Sequence, residues 1–232
     1  ELAHRALLQA GLPAASMQLL YNFDQRLGLR LAGDARLGAI GFTGSRSGGL
    51  ALKAAADQAG IPAYMEMSSV NPVFLLPVAL EQHAERIGRE FAGSLTLGVG
   101  QFCTNPGLVL AIDGPGLSTF CAAATAALND TQPATMLSAG IASSFRRGVA
   151  ALGSNEAVST LLRLEHEDNQ GHAALFRVEA DAFLARKELH EEVFGPASLL
   201  VVCKDVEQMR AIVEHLEGQL TAAIHLEEGD IE

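Results

Sequence analysis

The sequence predicts an α/β fold, a mostly parallel sheet flanked by helices, and three observations predict it. Short apolar runs such as "LVLAI" and "ASLLVVC" alternate with stretches of helical periodicity over the 232 residues. The apolar runs are nearly continuous, as in strands covered on both faces, rather than alternating with polar residues. Hydrophobic residues make up 49% of the chain but aromatic ones only 5%, with no Trp, so the core must be aliphatic and rich in Ala.

The elements follow in order. "ELAHRALLQA" reads as a helix stopped by Gly11-Leu12-Pro13. "MQLLYN" reads as a buried strand, and Asp24 is placed to cap a short helix whose apolar side includes Leu27 and Leu31. "LGAIGF" (37–42) is the next strand, followed by the turn "TGSRSGG", an Ala-rich helix closed by Gly60, and the strand "IPAYMEM" (61–67). From Ala79, the residues Leu80, Ala84, Ile87 and Phe91 form one apolar helical stripe. "LVLAI" (108–112) is a strand, and 116–129 and 134–152 read as helices. "ASLLVVC" (197–203), a helix opened by Asp205 with Gln208 as its capping-box partner, and "LTAAIHL" (220–226) complete a strand, helix, strand unit.

Charge and cysteine content narrow the function classes. The net charge is −11, with 16 Lys and Arg scattered along the chain, so neither nucleic acid nor an anionic membrane is an expected partner. The longest apolar runs fall well short of the roughly 18 residues that a membrane span requires, and no signal-peptide pattern is present. Cys103, Cys121 and Cys203 are far apart and form no C-x-x-C, which supports neither a disulfide framework nor a zinc knuckle and points to a cytoplasmic protein. The chain begins at Glu1 within a helical pattern and stops in "HLEEGDIE"; it reads as a piece of a longer protein.

Among candidate functional residues Cys103 comes first. A lone cysteine is more often a small buried hydrophobe than a nucleophile. In "GVGQFCTNPG", however, Gly98, Gly100, Pro106 and Gly107 mark a shaped loop in which a thiolate can be exposed and attack a carbonyl. Cys121 and Cys203 lie in an Ala-rich helix and an apolar strand and read as core. Glu66 is the single charged residue of "AYMEMSSVNPVFLLP"; buried, it would suit a general base, and otherwise it is a solvated strand end. In "GFTGSRSGG", Ser45 can cap the following helix, whose free N–H groups can receive a phosphate, although tight-turn geometry explains the glycines equally well. "HEEVF" has Phe194 where a second His ligand would be needed, and "HEDNQGH" reads as a solvated connection, so no metal is expected.

Taken in order, "GFTGS" (41–45), the Glu of "MEMSSVNP" (65–72), the Cys of "GQFC" (100–103) and "EEVFGP" (191–196) resemble the NAD(P)-dependent aldehyde dehydrogenase superfamily. Each string is modest alone, whereas the ordered set is specific. The resemblance implies that Cys103 is the nucleophile, passing through a thiohemiacetal and a thioester, and that Glu66 is the general base. It implies that Glu192 and Phe194 meet the nicotinamide end of NAD or NADP, that Ser45 meets the pyrophosphate, and that Thr43 and Gly44 shape the turn. The Cys103 N–H is then half of the oxyanion hole. Residues 1–67 would be the last part of the dinucleotide-binding domain and 68–232 most of the catalytic domain.

Met67-Ser68-Ser69 stands where most members have Leu-Gly-Gly. "EMSSVNPVFLLP" with "GQFCTNPG" looks most like the branch that oxidises α-ketoglutarate semialdehyde (2,5-dioxopentanoate), related to bacterial fatty aldehyde dehydrogenases. The implied partner is a small aldehyde, and the implied full-length assembly a homo-oligomer, dimer or tetramer. By the same resemblance the Asn that completes the oxyanion hole, a ribose-binding Lys and the first cofactor-domain strands lie upstream of Glu1, and the substrate loop and oligomerisation strand beyond Glu232, so this stretch alone is expected not to turn over aldehyde. Two other readings are a CoA-acylating dehydrogenase, against which Glu66 argues, and a non-catalytic α/β binding or assembly module in which Cys103 is inert.

Overall fold

The computed structural model describes residues 1–21 and 23–231. The chain divides into two compact units, Glu1–Ser68 and Ser69–Glu232.

In the first unit, α1 (Leu2–Gln9) precedes α2 (Gln25–Ala32). Asp24 caps α2 by accepting a hydrogen bond from Leu27 N–H at 2.7 Å. Then β1 (Ile40–Thr43), α3 (Arg46–Gln58) and β2 (Ala63–Glu66) form a parallel strand, helix, strand unit, in register from Ile40 opposite Ala63 to Thr43 opposite Glu66. The expected buried strand "MQLLYN" is not found. Met17 is extended, but residues 17–21 join no strand ladder among the described residues, and Leu19, Leu20 and Tyr21 are 65%, 60% and 83% exposed; Asn22 lies outside the described residues. A run of apolar residues becomes a strand only where a neighbour takes up its N–H and C=O groups. Among the described residues β1 and β2 pair only with each other.

The second unit is built on β3 (Val73–Leu75), α4 (Pro77–Thr96), β4 (Leu108–Ile112), α5 (Pro115–Asn129), β5 (Ala134–Thr135), α6 (Ala139–Ser154), β6 (Val158–Arg163), β7 (Gln170–Gly171), β8 (Ala174–Glu179), α7 (Ala180–Ala185), β9 (Ala197–Cys203), α8 (Val206–His215) and β10 (Ala223–His225). Its main sheet has the order β10-β3-β4-β9-β8-β6, parallel throughout except for the antiparallel edge pair β6–β8, while β5 and β7 form a separate antiparallel pair.

Every residue of β9 is buried because helices cover both faces of the sheet. Leu199, Val201 and Cys203 pack with α6, α7 and α8 through Phe145, Phe183 and Ile212, whereas Leu200 and Val202 pack with α4 and α5 through Ile87, Phe91 and Phe120. The stripe Leu80, Ala84, Ile87, Phe91 is buried as its spacing predicts, and the Phe91 and Phe120 rings lie 5.7 Å apart, tilted.

The strands expected over 37–42, 61–67 and 220–226 are shorter, at Ile40–Thr43, Ala63–Glu66 and Ala223–His225, and two helix starts differ in detail. The helix expected over 134–152 starts at Ala139, because Ser138 accepts from Ile141 N–H and caps it there, and the residues before it pair with β7. At α8, Asp205 accepts from Gln208 N–H at 2.8 Å as expected, but the Gln208 side chain accepts from Lys204 N–H rather than completing a capping box.

Candidate active site

Parallel neighbours enter a sheet at the same end, and here that end gathers the loops of interest. Residues 69–72 lead into β3, 101–107 into β4, 191–196 into β9 and 219–222 into β10. Cys103 is exposed on the second of these loops. Gly98, Val99 and Gly100 carry φ values of +57°, +60° and +63°, a left-handed turn just before the cysteine. For β-branched Val99 such a backbone is strained by roughly 1–2 kcal/mol, which the partial burial of its side chain against the core offsets.

The turn brings the nucleophile loop against the Glu192 loop. A Cβ on Gly100 would collide with the backbone of Gly195 and Pro196, and one on Gly195 would strike the Phe145 ring. Asn105, 9% exposed, donates from Nδ2 to Gly195 O at 3.0 Å, and Leu199 N–H donates to Gly107 O at 3.1 Å. The loop that carries Cys103 is therefore braced at Gly100, Asn105 and Gly107 against the segment that runs from Gly195 to Leu199; Glu192 and Phe194, just before it, are half-buried.

In the first unit, Thr43, Gly44, Ser45 and Glu66 are grouped locally. Thr43 stands opposite Glu66 at the carboxyl ends of β1 and β2, and Gly44 N–H donates to Glu66 O at 3.0 Å. Ser45 caps α3, accepting from Gly48 N–H at 3.3 Å, and Arg46 N–H donates to Ser68 Oγ at 3.3 Å. The first turn of α3 has no acidic residue, so the charge at this helix start is compatible with an anion, which would compete with the Ser45 and Ser68 hydroxyls for the Gly48 and Arg46 N–H groups. Glu66 is exposed here.

The other cysteines differ from Cys103. Burial pushes the Cys203 thiol up to about 12, with the Asp205 and Glu179 charges adding to the effect, and burial raises Cys121 as well. His190 of "HEEVF" stacks on Phe183 with ring centroids 4.3 Å apart and hydrogen-bonds through Nε2 with Phe183 O. Both ring nitrogens of His172 are engaged by the Glu165 and Thr131 carbonyls. Among the described residues no group of three or more His, Cys, Asp and Glu is placed to hold a metal ion, and no helix is long and apolar enough to cross a membrane.

The sequence reading passed over Asn71, Asn105 and Gln219. The signal available for the first two was an Asn-Pro pair in each strand-entry loop, which favours a shaped turn.

An exposed thiol on a cross-braced loop at one end of a mostly parallel, doubly covered sheet defines the class, an α/β protein with a candidate cysteine nucleophile. The sequence profile of the aldehyde dehydrogenase family matches residues 1–229, and the chain belongs to that family. It is 45% identical to alpha-ketoglutaric semialdehyde dehydrogenase 2 of Azospirillum brasilense, covering 97% of this chain and 44% of that protein. It is 33% identical to the alpha-ketoglutaric semialdehyde dehydrogenase of Acinetobacter baylyi, covering 98% of this chain and 44% of that one. The chain thus spans less than half the length of these relatives. Its fold is that of a NAD-dependent benzaldehyde dehydrogenase from Corynebacterium glutamicum, with a TM-score of 0.81 at 19% identity over 99% of this chain and 51% of that structure.

Proposed function

We propose that the protein oxidises an aldehyde, α-ketoglutarate semialdehyde in the first instance, to its carboxylic acid with NAD or NADP, using Cys103 as nucleophile. The observation that carries this reading is the exposed Cys103 on a loop braced against the Glu192–Pro196 segment, in a chain 45% identical to an alpha-ketoglutaric semialdehyde dehydrogenase. Residues 1–67 are assigned to the end of the dinucleotide-binding domain and 68–232 to the catalytic domain. The assembly we expect is a dimer or tetramer, in the cytoplasm.

The Cys103 thiolate adds to the aldehyde carbon, forming a C–S bond while the carbonyl electron pair moves onto oxygen. The Cys103 N–H stabilises that oxygen. NAD or NADP, when bound, supplies the acceptor for the hydride lost as the adduct becomes a thioester. Glu66 takes a proton from the attacking water, the C–S bond breaks, and the acid leaves with Cys103 restored as thiolate. The α3 start with Ser45 suits the pyrophosphate, Thr43 and Gly44 shape the turn beside it, and Glu192 and Phe194 hold the nicotinamide end.

The test uses the full-length protein with α-ketoglutarate semialdehyde and a fatty aldehyde, each with both cofactors. A higher kcat/KM for the semialdehyde is the expected outcome; preference for the fatty aldehyde would move the protein to the related branch. A requirement for CoA in product formation would overturn hydrolysis by Glu66.

A further inference from the structure

Asn71 is 3% exposed and has φ +46°, a left-handed conformation that Asn tolerates better than most residues. Its Nδ2 donates to Cys103 O at 3.0 Å and to Asn105 O at 2.9 Å, with Ser69 O a longer third contact at 3.4 Å. Its Oδ1 accepts from Ser69 Oγ at 2.8 Å and from Thr221 N–H and Oγ1 at 3.3 and 3.2 Å. This environment admits one orientation of the amide, because a flip would set Oδ1 against two carbonyl oxygens.

Gln219 fixes the segment that carries Asn71. Its Oε1 accepts from Val70 N–H at 2.7 Å and Asn71 N–H at 3.2 Å, while its Nε2 donates to Glu217 O at 3.0 Å. Ser69, 4% exposed, also lies 2.9 Å from Gln219 Oε1, so its single hydroxyl hydrogen is shared between that oxygen and Asn71 Oδ1, and it accepts from Leu220 N–H at 3.0 Å. The loop entering β10 therefore clamps the loop entering β3, which clamps the loop entering β4, across three neighbouring strands. The departure at Ser69 is accounted for, since Gln219 and Asn71 absorb its hydroxyl.

We propose that Asn71, locked by Ser69 and Gln219, is the positioning residue of the nucleophile loop, holding the Cys103 and Asn105 carbonyls so that Cys103 meets its carbonyl substrate in one geometry. The inference rests on the reading of Cys103 as nucleophile. Asn71 touches neither substrate nor thiol; it acts through the backbone on both sides of Thr104.

The experiment compares Asn71→Gly, which keeps the backbone conformation, Asn71→Asp, which keeps the acceptor but turns charge toward two carbonyls, and Gln219→Met. In the full-length protein, iodoacetamide alkylation of Cys103 is followed across pH alongside steady-state aldehyde oxidation. Both Asn71 variants are expected to fold, to shift the pH profile of alkylation, and to lose roughly 10- to 100-fold in kcat with KM within about threefold. Gln219→Met should move both readouts in the same direction by less. Folded Asn71 variants with wild-type alkylation and kcat would overturn the proposal while leaving the proposed function standing. Variants that unfold outright, with Gln219→Met unchanged in both readouts, would make Asn71 a stability residue and also overturn it. A wild-type protein whose Cys103 alkylates readily but which oxidises no aldehyde would defeat the proposed function, and the alkylation series would still decide the role of Asn71.

Discussion

In Glu1–Ser68 the residues of interest close their strands: Thr43 ends β1, Glu66 ends β2, and the turn at Gly44-Ser45 opens α3. In Ser69–Glu232 they precede theirs, with Asn71, Cys103, Glu192 and Gln219 all on loops that enter the sheet. Open α/β sheets bind ligands by rule at the carboxyl ends of strands, and the first unit offers that end while the second offers the other. The difference has a chemical side. A strand feeding a helix presents the free N–H groups of the helix start, which suit an anion. Strand-entry loops of a parallel sheet lie side by side and can be tied to one another by buried amides, which suits a nucleophile that must not wander. The units differ in packing too. Ala32, Ala56 and Ile61 are the buried hydrophobic residues of the first among the described residues, whereas the second buries its sheet between two clusters of large side chains.

The contrast is tested most strongly by cutting one large apolar side chain back to Ala in each unit of these 232 residues. Phe145→Ala, at 1% exposure in the second core, should cost about 3–5 kcal/mol in chemical denaturation, whereas Leu20→Ala, at 60% exposure in the first unit, should stay within about 0.5 kcal/mol. Similar losses for both would erase the contrast. Gly100→Ala should cost about 3 kcal/mol or a comparable loss of soluble protein, since it adds both a collision with Gly195 and a left-handed side chain; unaltered stability would disprove the close approach of the two loops.

A further effect of pH lies at Cys203 in the second core. The unfolded thiol ionises near its ordinary 9.0 and folded Cys203 only near 12. Between these values the unfolded chain loses its proton first, so the contribution is complete below pH 9 and is lost as pH rises toward 12. Cys203→Ala should flatten that decline in denaturation curves. Smallest is Asp24→Ala, expected to remove about 1 kcal/mol from α2, read as faster proteolysis near residue 27 with the second unit unaffected.

The elements that the sequence made legible are those whose physics is local or two-sided. Asp24 and Ser45 cap where expected, the stripe from Leu80 to Phe91 faces a core, and "LVLAI" and "ASLLVVC" span β4 and β9 because strands covered on both faces need no alternation. "MQLLYN" has the same apolar character, but residues 17–21 join no strand ladder among the described residues, and whether a run meets a neighbouring strand is not written in any local pattern. The pair β6–β8 has no simple pattern because β6 mixes polar and apolar residues along a half-exposed edge with a register shift between Thr160 and Leu162, and the buried strand β8 is interrupted by Arg177. At the site, Cys103 could be singled out by its glycine and proline neighbours. The brace from Gln219 to Asn71 spans residues 148 positions apart and exists only once β10 lies beside β3.

The most direct test of Cys103 as nucleophile is to trap its acyl form. Full-length protein carrying Glu66→Gln would be mixed with α-ketoglutarate semialdehyde and NAD or NADP, quenched in acid, and its peptides weighed. With Cys103 as nucleophile, the acyl mass appears on the peptide containing Cys103 together with a burst of reduced cofactor. Acid formation and reduced cofactor at wild-type rates from a Cys103→Ala protein, or an acyl mass on another residue, would contradict it.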